Sequence, residues 1–172
     1  MVYRPWPWHL PGSFDKVLLI VSAAISFFFR IIIGSIFLIS GLAKIADPVR
    51  FIFSLRDFKL FPEIVVPFTA IYLPWLEFLL GLCVVLGLLY RTASLMLACL
   101  NFGFMLAILS VIIRGIEIDC GCFGLLADIL NIPDWADYRA VARNLIFIGM
   151  CIFIFRAGKT MFSLENYIKR AR

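Results

Sequence analysis

The sequence predicts an all-α polytopic membrane protein, folded as a bundle of four transmembrane helices. Of its 172 residues, 63% are hydrophobic and only 16% are charged, whereas a soluble domain carries about 25% charged residues. The mean hydropathy is +1.03. The apolar residues also gather in runs of about 20, the length that a helix needs to cross the hydrocarbon core. This composition excludes a cytosolic enzyme, a disordered regulator and a free nucleic-acid-binding protein.

A single membrane domain is expected over residues 1–172, and it opens with an interfacial segment, residues 1–16. Aromatic residues alternate with prolines in this segment, a pattern typical of an anchor at the membrane–water interface. No cleavable signal peptide is expected, because the apolar run that follows continues past Arg30 without a small-residue cleavage site. The aromatic residues of the segment include Tyr3, Trp6 and Trp8.

The first transmembrane helix is expected at about residues 27–46. The full apolar run from Val17 to Ala46 would form a helix of about 45 Å, which is longer than the hydrocarbon core, so the second part of the run is the spanning one. Arg30 and Lys44 lie near its two ends, and their side chains are expected to extend to the two interfaces.

The second transmembrane helix is expected at residues 67–90, and Glu77 is its only charged residue. Glu77 lies about 15 Å from the helix start, close to the bilayer midplane, where an ionisable group needs a partner. Asn101 is the simplest candidate partner, and Arg30 or Lys44 are alternatives. Both a structural polar contact and a proton-handling or quinone-proximal role stay open for Glu77.

The third helix, residues 92–113, contains no Asp, Glu, Lys or Arg and is the clearest span. The fourth, residues 141–158, crosses the membrane if Arg143 and Arg156 both extend outward. Four spans place both termini on one side, and the basic C-terminal tail favours the cytoplasm for that side. Residues 114–138 then form an extracytoplasmic loop.

Two further patterns concern packing and the membrane surface. Small residues at Gly34, Gly41, Gly81 and Gly103 are spaced so that helices can approach closely. Between the first two helices, over residues 47–63, charged residues alternate with phenylalanines and leucines. This alternation predicts an amphipathic segment that lies on the outer surface beside the loop.

Cys120 and Cys122 flank a single glycine in the predicted loop, and three interpretations of the pair are open. A redox-active dithiol fits an oxidising compartment, and the strain of so small a disulfide ring would make it easily reduced. A static disulfide would constrain only three residues and remove little chain entropy. A metal site would need further ligands, and no other Cys or His lies on this side, so no metal is predicted. The remaining cysteines, expected to pack as small hydrophobic residues, are Cys83, Cys99 and Cys151.

Four stretches of the chain carry a family resemblance: Ser40–Pro48, Leu73–Gly81, Asp119–Gly124 and Arg143–Asn144. With them the chain resembles the MauE/DoxX group of small four-helix redox-associated membrane proteins, and most closely its methylamine-utilisation MauE branch. MauE proteins are associated with forming the disulfides of the methylamine dehydrogenase small subunit. The resemblance therefore implies thiol chemistry outside the cytoplasm, in a protein integral to the bacterial cytoplasmic (inner) membrane.

By this resemblance, Cys120 and Cys122 would be the exchanging pair, and Glu77, Lys44 and Arg143 would surround a pocket for a quinone or a small substrate. The expected function is a membrane redox protein, for thiol–disulfide exchange or quinone-linked electron transfer. The alternative is a non-catalytic subunit that anchors or assembles a larger membrane complex. Expected partners are the lipid membrane and a thioredoxin-like or periplasmic thiol protein, with no nucleic acid. A quinone is the one cofactor considered, and whether the chain is itself an oxidoreductase stays open.

Overall fold

The computed structural model describes residues 13–60, 62–116, 118 and 136–157, with only the backbone for residues 13–20. Helices are the only regular secondary structure in this part of the chain, and four of them contain stretches long and apolar enough to cross a membrane. The predicted all-α fold with four spans is therefore confirmed. The helices are α1 (Ser13–Ala46), α2 (Pro48–Asp57), α3 (Val66–Leu86), α4 (Tyr90–Ile113) and α5 (Tyr138–Arg156).

The long helices pack as two antiparallel pairs, α1 with α3 and α4 with α5. At one end of the bundle, α1 and α4 finish while α3 and α5 begin. We call this the loop end, because the chain between α4 and α5 starts and returns there. The turn from α3 to α4 lies at the opposite end. Residues near the end of α1 and the beginning of α5 are thereby brought to the same half of the bundle.

Glycines bring α1 and α3 into backbone contact, as their spacing predicts. A Cβ added at Gly41 would lie 2.9 Å from the carbonyl oxygen of Pro74, and one at Gly81 would lie 2.9 Å from that of Gly34. No larger residue fits at these positions unless a helix moves. The outcome differs at Gly103, where no atom of the described chain lies within 4 Å of an added Cβ. Within that part of the chain, Gly103 is not at a helix contact.

The ends of the helices follow local capping chemistry. Asp47 precedes α2 and accepts a hydrogen bond from the N–H of Arg50, and Asp137 precedes α5 and accepts one from Ala140. Such caps satisfy N–H groups that have no partner within the helix. The Asp137 cap starts the fourth span at Tyr138, three residues before the predicted residue 141.

The boundary between α3 and α4 differs from the expected helix over residues 67–90. Gly87 adopts a left-handed conformation with φ of 72°, and α3 ends at Leu86. Glycine takes this conformation without steric cost, which makes it a frequent helix terminator. Because Leu88 and Leu89 keep the turn apolar, hydropathy alone does not reveal the break.

The amphipathic segment predicted between the first two spans contains the helix α2. Phe51 and Leu55 of α2 are buried against Val66 and Ala70 at the beginning of α3. One face of α2 therefore packs on the bundle at its loop end.

The residue that follows α2, Phe58, belongs to a second group of buried side chains, which we term the loop-end cluster. In this cluster the end of α2 meets α4, α5 and the chain beyond α4. The side chain of Arg114 donates a hydrogen bond to the carbonyl oxygen of Phe58. The members of the loop-end cluster are Phe58, Ile108, Val111, Ile118 and Ala140.

Candidate functional site

A buried ion pair links the two helices that the glycines bring together. The Nζ atom of Lys44 in α1 lies 2.7 Å from Oε2 of Glu77 in α3, and the two side chains are only 3% and 8% exposed. Lys44 is thus the partner that Glu77 needs, one of the alternatives considered from the sequence. The prediction that Asn101 is the simplest partner of Glu77 is wrong, because the side-chain amide of Asn101 donates to the carbonyl oxygen of Asn144 at 3.3 Å.

The expectation that Lys44 extends to the membrane interface is also wrong. Side chains of a helix tilt toward its N-terminus, and Lys44 lies only two residues before the C-terminal end of α1. Its side chain therefore points back into the bundle. The ammonium group lies 5.2 Å from the centre of the Phe51 ring and 5.7 Å from that of Phe104, a distance at which aromatic faces attract cations.

Arg30 follows the same geometry at the opposite end of the bundle. Its guanidinium donates to the carbonyl oxygens of Val84 at 3.0 Å and Val85 at 3.3 Å, and it lies 5.1 Å from the centre of the Tyr90 ring. These carbonyls belong to the last turn of α3, where positive charge is favourable. Arg30 is fully buried in protein, so it stabilises a helix end rather than reaching lipid headgroups as predicted.

A polar pocket of about 40 Å³ surrounds the Lys44–Glu77 pair. Glu77 lies about 16 Å along α3 from the loop end, and Arg143 about 8 Å along α5, so the pocket occupies the half of the bundle nearer that end. The structure thus brings together the three residues expected to form a pocket; that the pocket binds a ligand stays a prediction. The lining residues are Ile36, Phe37, Ser40, Lys44, Glu77, Leu100, Asn101, Phe104, Arg143, Asn144 and Phe147.

Asn144 also lines the pocket, although no role was predicted for it from its position in the chain. Only 3% of it is exposed, and its Nδ2 atom has no hydrogen-bond partner in the described chain. A polar side chain inside an apolar span is a signal that sequence reasoning could have used. That the amide lacks a partner could not be predicted, because this depends on which atoms the other three helices place around it.

The pocket contains hydrogen-bond donors that suit a quinone, but its volume is too small for a quinone ring. The buried cation of Lys44 and the amide of Asn144 supply donors of the kind that a quinone carbonyl accepts. However, a cavity known to hold benzene measures about 150 Å³, far more than the volume of about 40 Å³ found in this pocket. A six-membered ring does not fit in this conformation, so no chemical step is assigned to a quinone in the pocket.

Cys120 and Cys122 lie outside the described residues, and the structure therefore leaves their chemistry as predicted. The chain on both sides of them is described. The N–H of Ala136 donates to the carbonyl oxygen of Ile118 at 3.0 Å, and Ile118 is buried in the loop-end cluster. The other three cysteines are free thiols on the spans: Cys83 is partly buried, Cys99 exposed and Cys151 buried.

Aromatic contacts join the loop-end cluster to the pocket. The ring of Phe58 meets that of Phe104 edge to face, with 5.9 Å between their centres, and Phe104 lines the pocket. Phe58 packs in the same cluster as Ile118. A continuous set of contacts therefore connects the chain just before Cys120 with the Lys44–Glu77 pair.

Comparison with known protein families identifies a family that matches most of the chain. The model of a family described as methylamine utilisation protein MauE matches residues 19–157, a range that contains the four spans and the Cys120–Cys122 segment. Neither a curated protein nor a solved structure is significantly similar to the chain.

Proposed function

The chain belongs to the methylamine utilisation protein MauE family, and from this premise we propose that it is a thiol–disulfide exchange protein of the cytoplasmic membrane. Cys120 and Cys122 are the exchanging pair, and they face the extracytoplasmic side. The proposal places an integral membrane protein in the redox processes that accompany methylamine utilisation, with a secreted or thioredoxin-like thiol protein as its partner.

The anchoring of Ile118 is the observation that best supports this proposal. Ile118 is held in the loop-end cluster by its side chain and bonded to Ala136 by its carbonyl oxygen. Ile118 precedes Cys120 by only two residues in the sequence. Ile118 and Ala136, the described residues on either side of the cysteines, are therefore held together at the loop end of the bundle, and the proposal has the partner protein approach from this side.

The exchange conserves atoms and electrons without any further reactant. A thiolate of the partner attacks the Cys120–Cys122 disulfide, whose S–S bond breaks as a mixed disulfide forms. The second thiolate of the partner then attacks the mixed disulfide and closes the partner's own disulfide. The partner loses two electrons and two protons, and Cys120 and Cys122 gain them as two thiols.

Reoxidation of the pair runs the same reaction in reverse against a disulfide of a thioredoxin-like protein. A membrane quinone is the other predicted class of oxidant. For either oxidant, the contribution of the described residues is to hold Ile118 and Ala136 in place. These two residues flank the segment that contains both cysteines.

Labelling of intact cells with a membrane-impermeant maleimide, after acid trapping, tests this proposal. We expect Cys120 and Cys122 to be labelled only after reduction, because they rest as an extracytoplasmic disulfide. A Cys120→Ser, Cys122→Ser variant is expected to lose disulfide formation in a partner dithiol. Cys99→Ser is the matched control, since that thiol is exposed on a membrane-spanning helix, and it should retain full activity.

Two results would contradict the proposal. If the double serine variant still supports oxidation of the partner, the cysteines do not exchange electrons, and a role as an anchoring or assembly subunit replaces the exchange reaction. If neither cysteine is labelled from outside even after reduction, the pair does not face the extracytoplasmic side.

A further inference from the structure

Two side chains that line the polar pocket lack part of their hydrogen bonding, and the first of them is Asn144. It is only 3% exposed, and its Nδ2 atom has no partner in the described part of the chain. The backbone oxygen of the same residue accepts from the side chain of Asn101, so Asn144 is held in place by a neighbouring helix. A buried N–H group that finds no acceptor costs free energy. An acceptor from outside the chain is therefore expected next to Asn144.

The second side chain is the carboxylate of Glu77, which is only 6% exposed. Its Oε2 atom accepts a hydrogen bond from Lys44, and no donor among the described residues bonds to its other oxygen, Oε1. A buried ion pair offsets its own desolvation only if further hydrogen bonds satisfy the remaining lone pairs and protons. A donor from outside the chain is therefore expected beside Glu77.

Chemistry and volume together restrict what can occupy the pocket. An occupant that satisfies both side chains accepts a hydrogen bond from Asn144 and donates one to Glu77, which an ion without protons cannot do. One water molecule needs about 10–15 Å³ of cavity measured with a water-sized probe, so the cavity of about 40 Å³ holds about three of them. A buried water molecule makes about three hydrogen bonds, as donor and as acceptor, and water therefore meets both requirements.

From the two side chains and the volume, we propose that this pocket is a hydration site, which binds a small hydrogen-bonded cluster of water molecules. The cluster accepts from Nδ2 of Asn144 on α5 and donates to Oε1 of Glu77 on α3. It thereby links one antiparallel helix pair to the other and hydrates the Lys44–Glu77 pair inside the membrane. A proton-handling role of Glu77, one of the two roles open from the sequence, requires such contact with water. The site is independent of the proposed exchange reaction, because none of its residues is a reacting group in that reaction.

Hydroxyl-radical labelling tests this proposal, because radicals that X-rays generate from a bound water molecule modify the side chains next to it. The purified full-length chain is irradiated in detergent micelles, and mass spectrometry measures the rate of modification at each residue. Phe37 is the reporter, since it lines the pocket although it is only 8% exposed. Phe58 is the matched control, because it is also buried but does not line the pocket. We expect Phe37 to be modified several-fold faster than Phe58.

Variants locate the effect in the pocket. Asn144→Leu removes the donor and replaces it with an apolar side chain, so it is expected to slow the modification of Phe37 to the rate of Phe58. Ser26→Ala is the matched control variant. Ser26 is also buried and its hydroxyl has no partner in the described chain, but it does not line the pocket. This variant should leave the modification of Phe37 unchanged.

Crystallography of the wild-type chain gives a readout that does not require the variants to fold. Solvent density is expected within hydrogen-bonding distance of Nδ2 of Asn144 and of Oε1 of Glu77. Equal modification of Phe37 and Phe58 in the wild type, modification of Phe37 that Asn144→Leu leaves unchanged, or density for a ligand other than water would overturn the proposal. The labelling should persist in the Cys120→Ser, Cys122→Ser variant, so failure of the exchange mechanism and failure of the hydration site are distinguishable.

Discussion

Lys44 and Arg30 show that the position of a charged residue within a helix decides whether it reaches water. Both side chains tilt toward the N-terminal end of α1. For Arg30 this direction leads to the last turn of α3, and for Lys44 it leads to Glu77, away from the nearer interface. The sequence placed both residues near helix ends, but neither extends to headgroups, because polar partners inside the protein lie in the direction of tilt.

Removing one partner of the Lys44–Glu77 pair should destabilise the protein more than removing both. A lone buried charge costs about 3–5 kcal/mol, whereas apolar replacement of a whole pair is often neutral. We therefore expect Lys44→Met and Glu77→Leu each to lower the free energy of unfolding strongly, and the double variant to recover most of the loss. Reversible unfolding in mixed micelles, analysed as a double-mutant cycle, measures the coupling.

Another ion pair of the chain provides the control for this cycle. Arg56 and Glu63 lie 3.1 Å apart, but their side chains are 44% and 75% exposed. An exposed pair contributes about 0–1 kcal/mol, so Arg56→Met should have little effect. A double variant at Lys44 and Glu77 that is as unstable as the sum of its single variants would show that the two charges do not interact.

At the scale of elements, the contact between α1 and α3 depends on the absence of side chains. Gly41→Ala and Gly81→Ala each place a methyl group within 3 Å of backbone atoms in the opposing helix. Backbone cannot rotate away as a side chain can, and overpacking typically costs about 1–3 kcal/mol. Both variants are expected to unfold at lower denaturant concentration than the wild type.

Gly103→Ala serves as the matched substitution for these two. Its added methyl group meets nothing in the described chain, and alanine favours helix over glycine by about 1 kcal/mol in water, so stability should be unchanged or slightly raised. Equal stability of Gly41→Ala and Gly103→Ala would mean that α1 and α3 are further apart than the structure shows.

The sequence predicted most elements because their signals are local. Apolar runs identify the four spans, and Asp137 marks the beginning of α5 through its own hydrogen bonds. The end of α3 was missed although Gly87 signals it, because hydropathy continues through the turn. For the site, the resemblance implied that Lys44, Glu77 and Arg143 surround a pocket; all three line one, and that it binds a ligand stays a prediction. The unpartnered amide of Asn144 follows only from the packing of α1, α3 and α4 around it.

At the scale of the whole molecule, orientation in the membrane is the prediction that follows from the basic C-terminal tail. It places the loop end outside the cytoplasm. Ile64 and Leu89 test it well, because both are exposed apolar residues, 77% and 67% accessible, at opposite ends of the bundle. In a variant in which all five native cysteines are serine, Ile64→Cys should react with an impermeant maleimide in intact cells.

Leu89→Cys in the same background is expected to react only after the cells are permeabilised. The cysteine introduces no additional backbone strain, since leucine, which also carries a Cβ, already adopts a positive φ of 46° at this position. The reverse labelling pattern would invert the topology and place Cys120 and Cys122 in the cytoplasm, where disulfides rarely persist.

The pairing of α1 with α3 has a consequence for biogenesis. On translocon-insertion scales, an acidic or basic residue at the centre of a span costs about 2.5–3.5 kcal/mol, so α3 partitions into lipid less readily on its own because of Glu77. Lys44 precedes Glu77 in the chain, so α1 is synthesised before α3. Lys44 is therefore already in the chain when Glu77 is added, and we expect α3 to insert more readily beside α1 than as an isolated segment.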